Sequence, residues 1–99
     1  MTLREFRIVL PKNARGHKWL RETLATRFGG YTETEGRGGW VNPRGELVQE
    51  QVRVYDVAAP AETPAEALLT IARELLRRTG EEAIYLRDLD GEVHLVDEA

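Results

Sequence analysis

The sequence predicts an α+β fold in which two helices pack on one face of an antiparallel β-sheet. Three observations support this prediction. Apolar residues alternate with polar ones in five short segments, they recur three or four positions apart in two longer segments, and glycine, proline and asparagine separate the segments. The resulting order, β-α-β-β-α-β-β, fits a single domain of 99 residues.

The first strand is predicted over Leu3–Leu10, where Phe6, Ile8 and Leu10 share one side. Pro11 ends the strand because proline lacks the N–H that a β-ladder needs.

The first helix is predicted over His17–Phe28, where Leu20, Leu24 and Phe28 recur at four-residue spacing. Gly29 follows at the position where a left-handed residue ends a helix.

The glycine-rich stretch Arg27–Gly45 holds six of the nine glycines and connects this helix to a hairpin. Gly30 allows a sharp turn, and we expect the second strand to begin near Tyr31. We expect the glycines of residues 36–39 to interrupt that strand, which then resumes at Trp40. We also expect the Trp40 side chain to be buried and to anchor the hairpin.

The hairpin turn is predicted at Asn42-Pro43-Arg44-Gly45, a type I turn pattern. A third strand follows over Leu47–Val57. Its alternation places Val48, Val52 and Val54 on one side and Gln49, Gln51, Arg53 and Tyr55 on the other. We expect the second group to lie on the sheet face that the helices leave open.

A second helix is predicted after Thr63, with Thr63 as the N-cap, Pro64 in the first turn and Glu66 closing a capping box. Gly80 ends it. Two strands, Glu82–Leu89 and Glu92–Val96, then flank a turn at Asp90-Gly91. This is a ferredoxin-like β-α-β-β-α-β sandwich with an additional C-terminal strand, for which we expect the spatial order 4-1-3-2 and the fifth strand beside the fourth.

The composition excludes several classes of protein. The chain has no cysteine, no apolar run of ~20 residues and no segment typical of a secretory signal, so we expect a cytoplasmic protein. Twelve of the fourteen basic residues are arginine, and Asn and Gln are scarce. This bias is typical of thermophilic proteins, although a GC-rich genome also produces it. Residues 1–45 carry a formal charge of +5 and residues 46–99 carry −8, which sums to −3.

The sequence assigns no catalytic residue, no metal site and no cofactor. Serine and cysteine, the commonest nucleophiles, are absent from the chain, and its histidines are His17 and His94. The glycine cluster leads into a strand rather than into a helix N-terminus, which argues against a phosphate-binding loop.

Two surfaces are candidates for binding. A basic set on the first helix and the loop before it suggests contact with nucleic-acid phosphates, although the net charge is negative; it consists of Lys12, Arg15, Lys18, Arg21 and Arg27. Arg53 and Tyr55 are candidates for an exposed sheet face, beside Arg7. An open face with Val9, Tyr55 and Tyr85 would be apolar enough to require a cover, so we expect a homodimer or another protein partner.

One stretch has a distinctive order of motifs. A helix is followed by Arg27-Phe28-Gly29-Gly30-Tyr31-Thr32, then Gly36 and Trp40, and then Pro43-Arg44-Gly45-Glu46 before a valine-rich strand. In this pattern the chain resembles a group of small uncharacterised bacterial and phage proteins. The resemblance covers about residues 6–86 and is most specific over 27–50. It implies a domain of unknown function and brings no ligand or reaction, so Phe28, Gly29, Gly30, Gly36, Trp40 and Gly45 are its structural signature.

Three functions therefore stay open. The leading hypothesis is a small non-enzymatic accessory or protein-binding domain, phage-encoded and from a thermophilic host. The first alternative is a nucleic-acid-associated protein that uses the basic Lys12–Arg27 face. The second is a cofactor-free dimeric ferredoxin-like enzyme in which Trp40, Tyr55 and a histidine line a cleft.

Overall fold

The computed structural model describes residues 3–89 and 93–96, without the side chains of residues 93–95. Its elements are β1 (Leu3–Pro11), α1 (His17–Phe28), β2 (Thr32–Val41), β3 (Leu47–Pro60), α2 (Ala65–Thr79), β4 (Ile84–Asp88) and β5 (Val93–Val96). The strands form one antiparallel sheet in the order β2-β3-β1-β4-β5. This confirms the predicted ferredoxin-like plan with its fifth strand beside the fourth. The predicted turn at Asp90-Gly91 lies outside the described residues.

The hydrophobic core lies between one face of the sheet and the two helices. On β1, Phe6, Ile8 and Leu10 are buried at every second position, as the alternation predicts. Leu20 and Leu24 of α1 pack into the same core. The other members come from α2 and the remaining strands: Tyr55, Val57, Ala59, Leu68, Ile71, Ala72, Leu75, Leu76, Ile84, Leu86 and Val96. No helix in the described ranges is long and apolar enough to cross a bilayer.

Glycine ends both helices, as predicted. Gly29 and Gly80 have φ values of 90° and 73°, and their amides donate to the carbonyls of Ala25 and Leu76. The predicted capping box of α2 is wrong, because Pro64 is the N-cap residue and no side chain caps this end. Thr63 therefore lies one residue too early for its hydroxyl to reach the free amides of the first turn.

The second strand is continuous, so the predicted interruption at residues 36–39 is wrong. Each residue from Thr32 to Val41 has a partner on β3, with no residue skipped. The glycines within β2 all avoid positive φ, so they extend the strand instead of breaking it.

The β2–β3 hairpin projects beyond the rest of the sheet. β1 reaches only as far as Val52 on β3, where it pairs through Pro11. Beyond that point residues 37–41 and 47–51 pair only with each other, and we call these two segments the ribbon. The predicted turn closes it: Gly45 has a φ of 82°, and the Asn42 side-chain oxygen accepts hydrogen bonds from the amides of residues 44 and 46.

Trp40 lies on the ribbon and is 49% exposed, so the expectation that it is buried is wrong. There are two physical reasons. Trp40 pairs with Val48 and so lies on the sheet face opposite the helices, and β1 ends before the ribbon, so in the described chain the sheet at Trp40 has two strands.

The predicted orientation of β3 is also wrong. Tyr55 pairs with Ile8 and is fully buried on the helix-covered face. Val52 and Val54 therefore lie on the opposite face, because neighbouring residues in a strand point to opposite sides. β3 is apolar at both sets of positions, and its pairing with β1 decides which set enters the core.

The helix ends provide a test of these backbone conformations. Gly80→Ala is expected to lower the free energy of unfolding by about 1–2 kcal/mol, because a Cβ is unfavourable at its left-handed φ. Gly30→Ala is the matched control, since Gly30 has no positive φ and an added Cβ there would meet no atom within 4 Å. Denaturant unfolding of both variants measures the difference, and equal effects would contradict the assigned conformations.

Candidate functional site

The sheet face opposite the helices, which we call the open face, carries a broad apolar hollow. Strand register places Val9 of β1, Val52 and Val54 of β3 and Tyr85 of β4 on this face. The hollow has a volume of about 920 Å³ and extends from Trp40 on the ribbon to residues 80–83 before β4. Within the described ranges no helix covers this face. Val9, Val54 and Tyr85 are partly exposed there, whereas Val52 is only 8% exposed.

The depth of the hollow comes from two glycines of β2. Gly36 and Gly38 occupy alternate positions, so both face the open side, beside Val52. A Cβ added at Gly36 would lie 3.4 Å from Val52 Cγ2, and one at Gly38 would lie 3.4 Å from Val52 Cγ1. Since neither glycine has a positive φ, the backbone does not require them. Glycine within a strand often marks a place where another chain approaches closely.

One ion pair lies in the middle of the open face. Arg7 donates two hydrogen bonds to Asp56, Nε to Oδ1 at 2.7 Å and Nη2 to Oδ2 at 3.1 Å. These hydrogen bonds raise the pKa of Arg7 above its ordinary value. Arg7 is therefore engaged by a carboxylate of its own chain, whereas the exposed Arg87 beside it has no ion-pair partner among the described residues.

His17 and Tyr55 form a hydrogen-bonded pair on the other side of the sheet. His17 Nε2 lies 2.9 Å from the carbonyl oxygen of Pro11, which can only accept, so Nε2 carries a proton. In neutral His17, Nδ1 is then the acceptor, and the Tyr55 hydroxyl donates to it at 2.6 Å. The pair joins the start of α1 to β3 and to the end of β1, which gives it a structural role.

A four-residue ion-pair network connects α1 to the β2–β3 hairpin. Arg21 donates to both carboxylate oxygens of Glu33, at 2.8 and 3.0 Å. Arg53 contacts Glu33 at 3.4 Å and Glu35 at 3.1 Å. The hydrogen bonds from Arg21 hold the pKa of Glu33 below its ordinary value. Arg21 and Arg53, both predicted to bind a ligand, are therefore engaged within the chain.

The remaining members of the predicted basic set are exposed. Lys12 donates to the Gln51 side chain at 3.3 Å, and Lys18 lies 3.9 Å from Glu22. Arg15 is exposed, and Arg27 lies over the ring of Phe28 at 5.9 Å. The structure therefore leaves these four side chains at the surface.

The signature residues have distinct positions. Phe28 packs against the core, whereas Gly30 lies in open space after α1. Gly29 and Gly45 adopt positive φ at a helix end and a hairpin turn, and only Gly36 and Trp40 line the hollow.

The cleft expected for an enzyme is not assembled by the described side chains. Tyr55 is fully buried beside His17 on the helix-covered side, whereas Trp40 lines the hollow on the open side. Position 94 pairs with Leu86, and the side chain of His94 lies outside the described residues. Among the described residues, no group of three or more His, Cys, Asp or Glu side chains could hold a metal ion.

The sequence contained one signal for the hollow that our interpretation missed. Gly36, Gly38 and Trp40 recur at two-residue spacing, which places them on one face of a continuous strand. Treating the glycines as a break in β2 concealed this pattern.

No family model, curated protein or solved structure matches the chain.

The hydrogen bond between Tyr55 and His17 can be tested by removing one hydroxyl. We expect Tyr55→Phe to lower the free energy of unfolding by about 1–3 kcal/mol, because His17 Nδ1 loses its partner in a partly buried site. Tyr31→Phe is the control, since Tyr31 packs against the Tyr55 ring but its hydroxyl makes no hydrogen bond within the described chain. Denaturant unfolding that shows equal effects for the two variants would contradict this assignment.

The buried hydroxyl of Tyr55 is also expected to make the protein less stable at high pH. Burial raises the pKa of Tyr55 to about 12. A tyrosine in the unfolded chain titrates at about 10. The stabilisation is therefore complete below pH about 10 and is lost as the pH rises towards about 12. Between pH about 9 and about 11, the free energy of unfolding should fall less steeply with rising pH for Tyr55→Phe than for the unchanged chain. Parallel curves would contradict the prediction.

Proposed function

We propose that this protein is a small non-enzymatic domain that binds another protein through the open face. The observation that carries the proposal is the hollow beside Gly36 and Gly38. Neither the backbone conformation nor the packing at these two positions requires glycine. The partner segment would present apolar side chains along one side, matching the valines and Tyr85 that line the hollow.

The form and lining of the hollow support a protein partner over a small metabolite. Sites for small molecules usually surround the ligand and direct several polar groups at it. Here the hollow is broad and open, its lining includes Val9, Val52 and Val54, and the nearby Arg7 is paired with Asp56. Its other charged lining residues are Arg37, Glu50, Glu81 and Glu82. The half-exposed Trp40 lies at one end of the hollow, and tryptophan is enriched among the residues that dominate binding energy at protein interfaces.

Several sequence expectations stay predictions. They are membership of the small bacterial and phage family, phage-encoded origin, a thermophilic host and location in the cytoplasm. Nucleic-acid association through the Lys12–Arg27 face also stays a prediction. Fewer cations are available for it than the sequence suggested, because Arg21 is engaged by Glu33.

Peptide selection on the purified protein tests the docking proposal. We expect a random-peptide display library to yield peptides with alternating or helically spaced apolar residues. Gly38→Val should weaken their binding at least about 10-fold, because its side chain enters the hollow beside Val52. Gly30→Val is the matched control and should bind like the unchanged protein, since position 30 lies in open space away from the hollow. Titration calorimetry gives the affinities.

Trp40→Ala separates binding from folding. We expect it to weaken peptide binding by about 10-fold or more. The free energy of unfolding should change by less than about 1.5 kcal/mol, whereas burial in a core would make the cost about 3–5 kcal/mol. Peptides that bind the Gly38→Val and Trp40→Ala variants as tightly as the unchanged protein would contradict the open face as the docking site. A library that yields no binder would also count against the proposal.

A further inference from the structure

The outer edge of β2 is an unusually open strand edge. β2 is the terminal strand of the sheet, spans ten residues and contains no proline. Its pairing with β3 runs from Thr32 to Val41 without a bulge. No described strand pairs with its other edge. Natural proteins usually protect such edges with charged side chains, proline, bulges or a covering element, because unpaired N–H and C=O groups recruit other strands. Of these devices, β2 has charged side chains, at Glu33, Glu35 and Arg37.

The charges along β2 are arranged so that this strand complements itself. Glu35 and Arg37 are two residues apart and therefore share the helix-covered face, with Gly36 between them on the open face. Glu35 is 67% exposed although it contacts Arg53, and Arg37 is exposed with no ion-pair partner among the described residues. When such a strand meets a second copy antiparallel and centred on residue 36, each Glu35 lies opposite the other copy's Arg37.

We propose that β2 pairs antiparallel with β2 of a second copy of this chain, with the two-fold axis at Gly36. A two-fold axis perpendicular to the sheet retains the two faces, so the five-stranded sheets join into one and the open faces become continuous. This inference does not depend on the proposed docking function, because it uses the strand edge and not the hollow.

Comparison of the neighbouring registers favours this one. Facing residues must lie on the same face, so the axis passes through a residue rather than between two. An axis at residue 35 pairs Glu33 with Arg37 but places Glu35 opposite itself, and an axis at residue 37 places Arg37 opposite itself. An axis at residue 34 places Glu33 opposite Glu35, whereas an axis at residue 38 pairs no charges. Residue 36 is therefore the centre among these that pairs opposite charges without placing like charges opposite each other, which would be destabilising.

The side chains on the open face are compatible with the same register. Thr34 lies opposite Gly38 of the other copy, and Thr32 lies opposite Trp40. Glycine meets glycine at the axis, so no side chain restricts the approach of the two backbones. The half-exposed Trp40 would then cover the edge of the neighbouring subunit as well as one end of its own hollow.

Single cysteines test the register, because the chain has no native cysteine. In the proposed pair, position 36 lies opposite its own copy with the Cα atoms about 4.5–5.5 Å apart. This separation is within the range of a disulfide. Position 38 lies about 13 Å from its own copy, which is too far. With oxidised glutathione as the oxidant, Gly36→Cys should form a disulfide-linked dimer at least about 10-fold faster than Gly38→Cys. Equal rates, or no cross-linking at either position, would overturn the proposal.

Charge reversal gives an independent test in the chain without cysteine. Arg37→Glu places Glu opposite Glu at both symmetry-related pairs and should weaken dimerisation at least about 10-fold in sedimentation equilibrium. Glu35→Arg should do the same by placing Arg opposite Arg. Arg44→Glu is the control, since it makes the same charge change in the hairpin turn, outside the paired segment, and should leave dimerisation unchanged.

Mixing the two charge variants provides the decisive result. Each variant repels its own kind, but in the mixed pair every facing position again carries opposite charges. Native mass spectrometry should therefore show a heterodimer at about twice 11.2 kDa and little of either homodimer. Failure of the mixture to restore dimerisation, homodimers that persist in both variants, or a monomeric unchanged protein at high concentration would overturn the proposal. Should Glu35→Arg fail to fold, the cysteine comparison still decides the register.

Discussion

Two helices are sufficient to cover only one face of this five-stranded sheet, and the rest of the structure depends on that constraint. The covered face contains the largest buried side chains, including Tyr55 and Phe6. The opposite face is also apolar at Val9, Val52 and Val54, although the described chain provides no layer to cover it. Large contiguous apolar patches are rare on the surfaces of monomeric proteins, and where they occur they mark interaction sites. The same strands therefore form the core with one face and the candidate binding surface with the other.

The unequal lengths of the strands account for the second distinctive feature. β3 has 14 residues whereas its neighbour β1 has nine, so the hairpin that β3 forms with β2 extends past the third strand. The ribbon therefore lies outside the core, which helps to explain why Trp40 is exposed. In the strand order β2-β3-β1-β4-β5, β2 is the edge strand over its full length.

Much of the fold could be predicted from the sequence, whereas the candidate site could not. α1 begins and ends as predicted, and glycine ends both helices because its left-handed conformation is a local property. The orientation of β3 required information that is not local. Val52 and Val54 compete with Tyr55, Val57 and Ala59 for the core, and alternation alone gives both sets equal claim. Pairing with β1 decides between them, since Ile8 lies opposite Tyr55. The hollow exists only in the observed orientation of β3, so the wrong prediction of that orientation also prevented prediction of the hollow.

The glycines of β2 show why stability alone does not explain this strand. A glycine inside a strand costs roughly 0.5–1 kcal/mol relative to alanine, because the unfolded chain has more freedom to lose. At Gly36 and Gly38 this cost brings no conformational benefit, and a Cβ would contact Val52 at 3.4 Å without reaching backbone. Alanine at both positions would therefore be expected to stabilise the strand, and its methyl groups would enter the hollow beside Val52. The two glycines nevertheless occupy alternate positions on the face that no described element covers, next to an edge that pairs with no described strand. Glycine at these positions is physically useful where another chain approaches the strand closely, because no side chain then separates the two backbones.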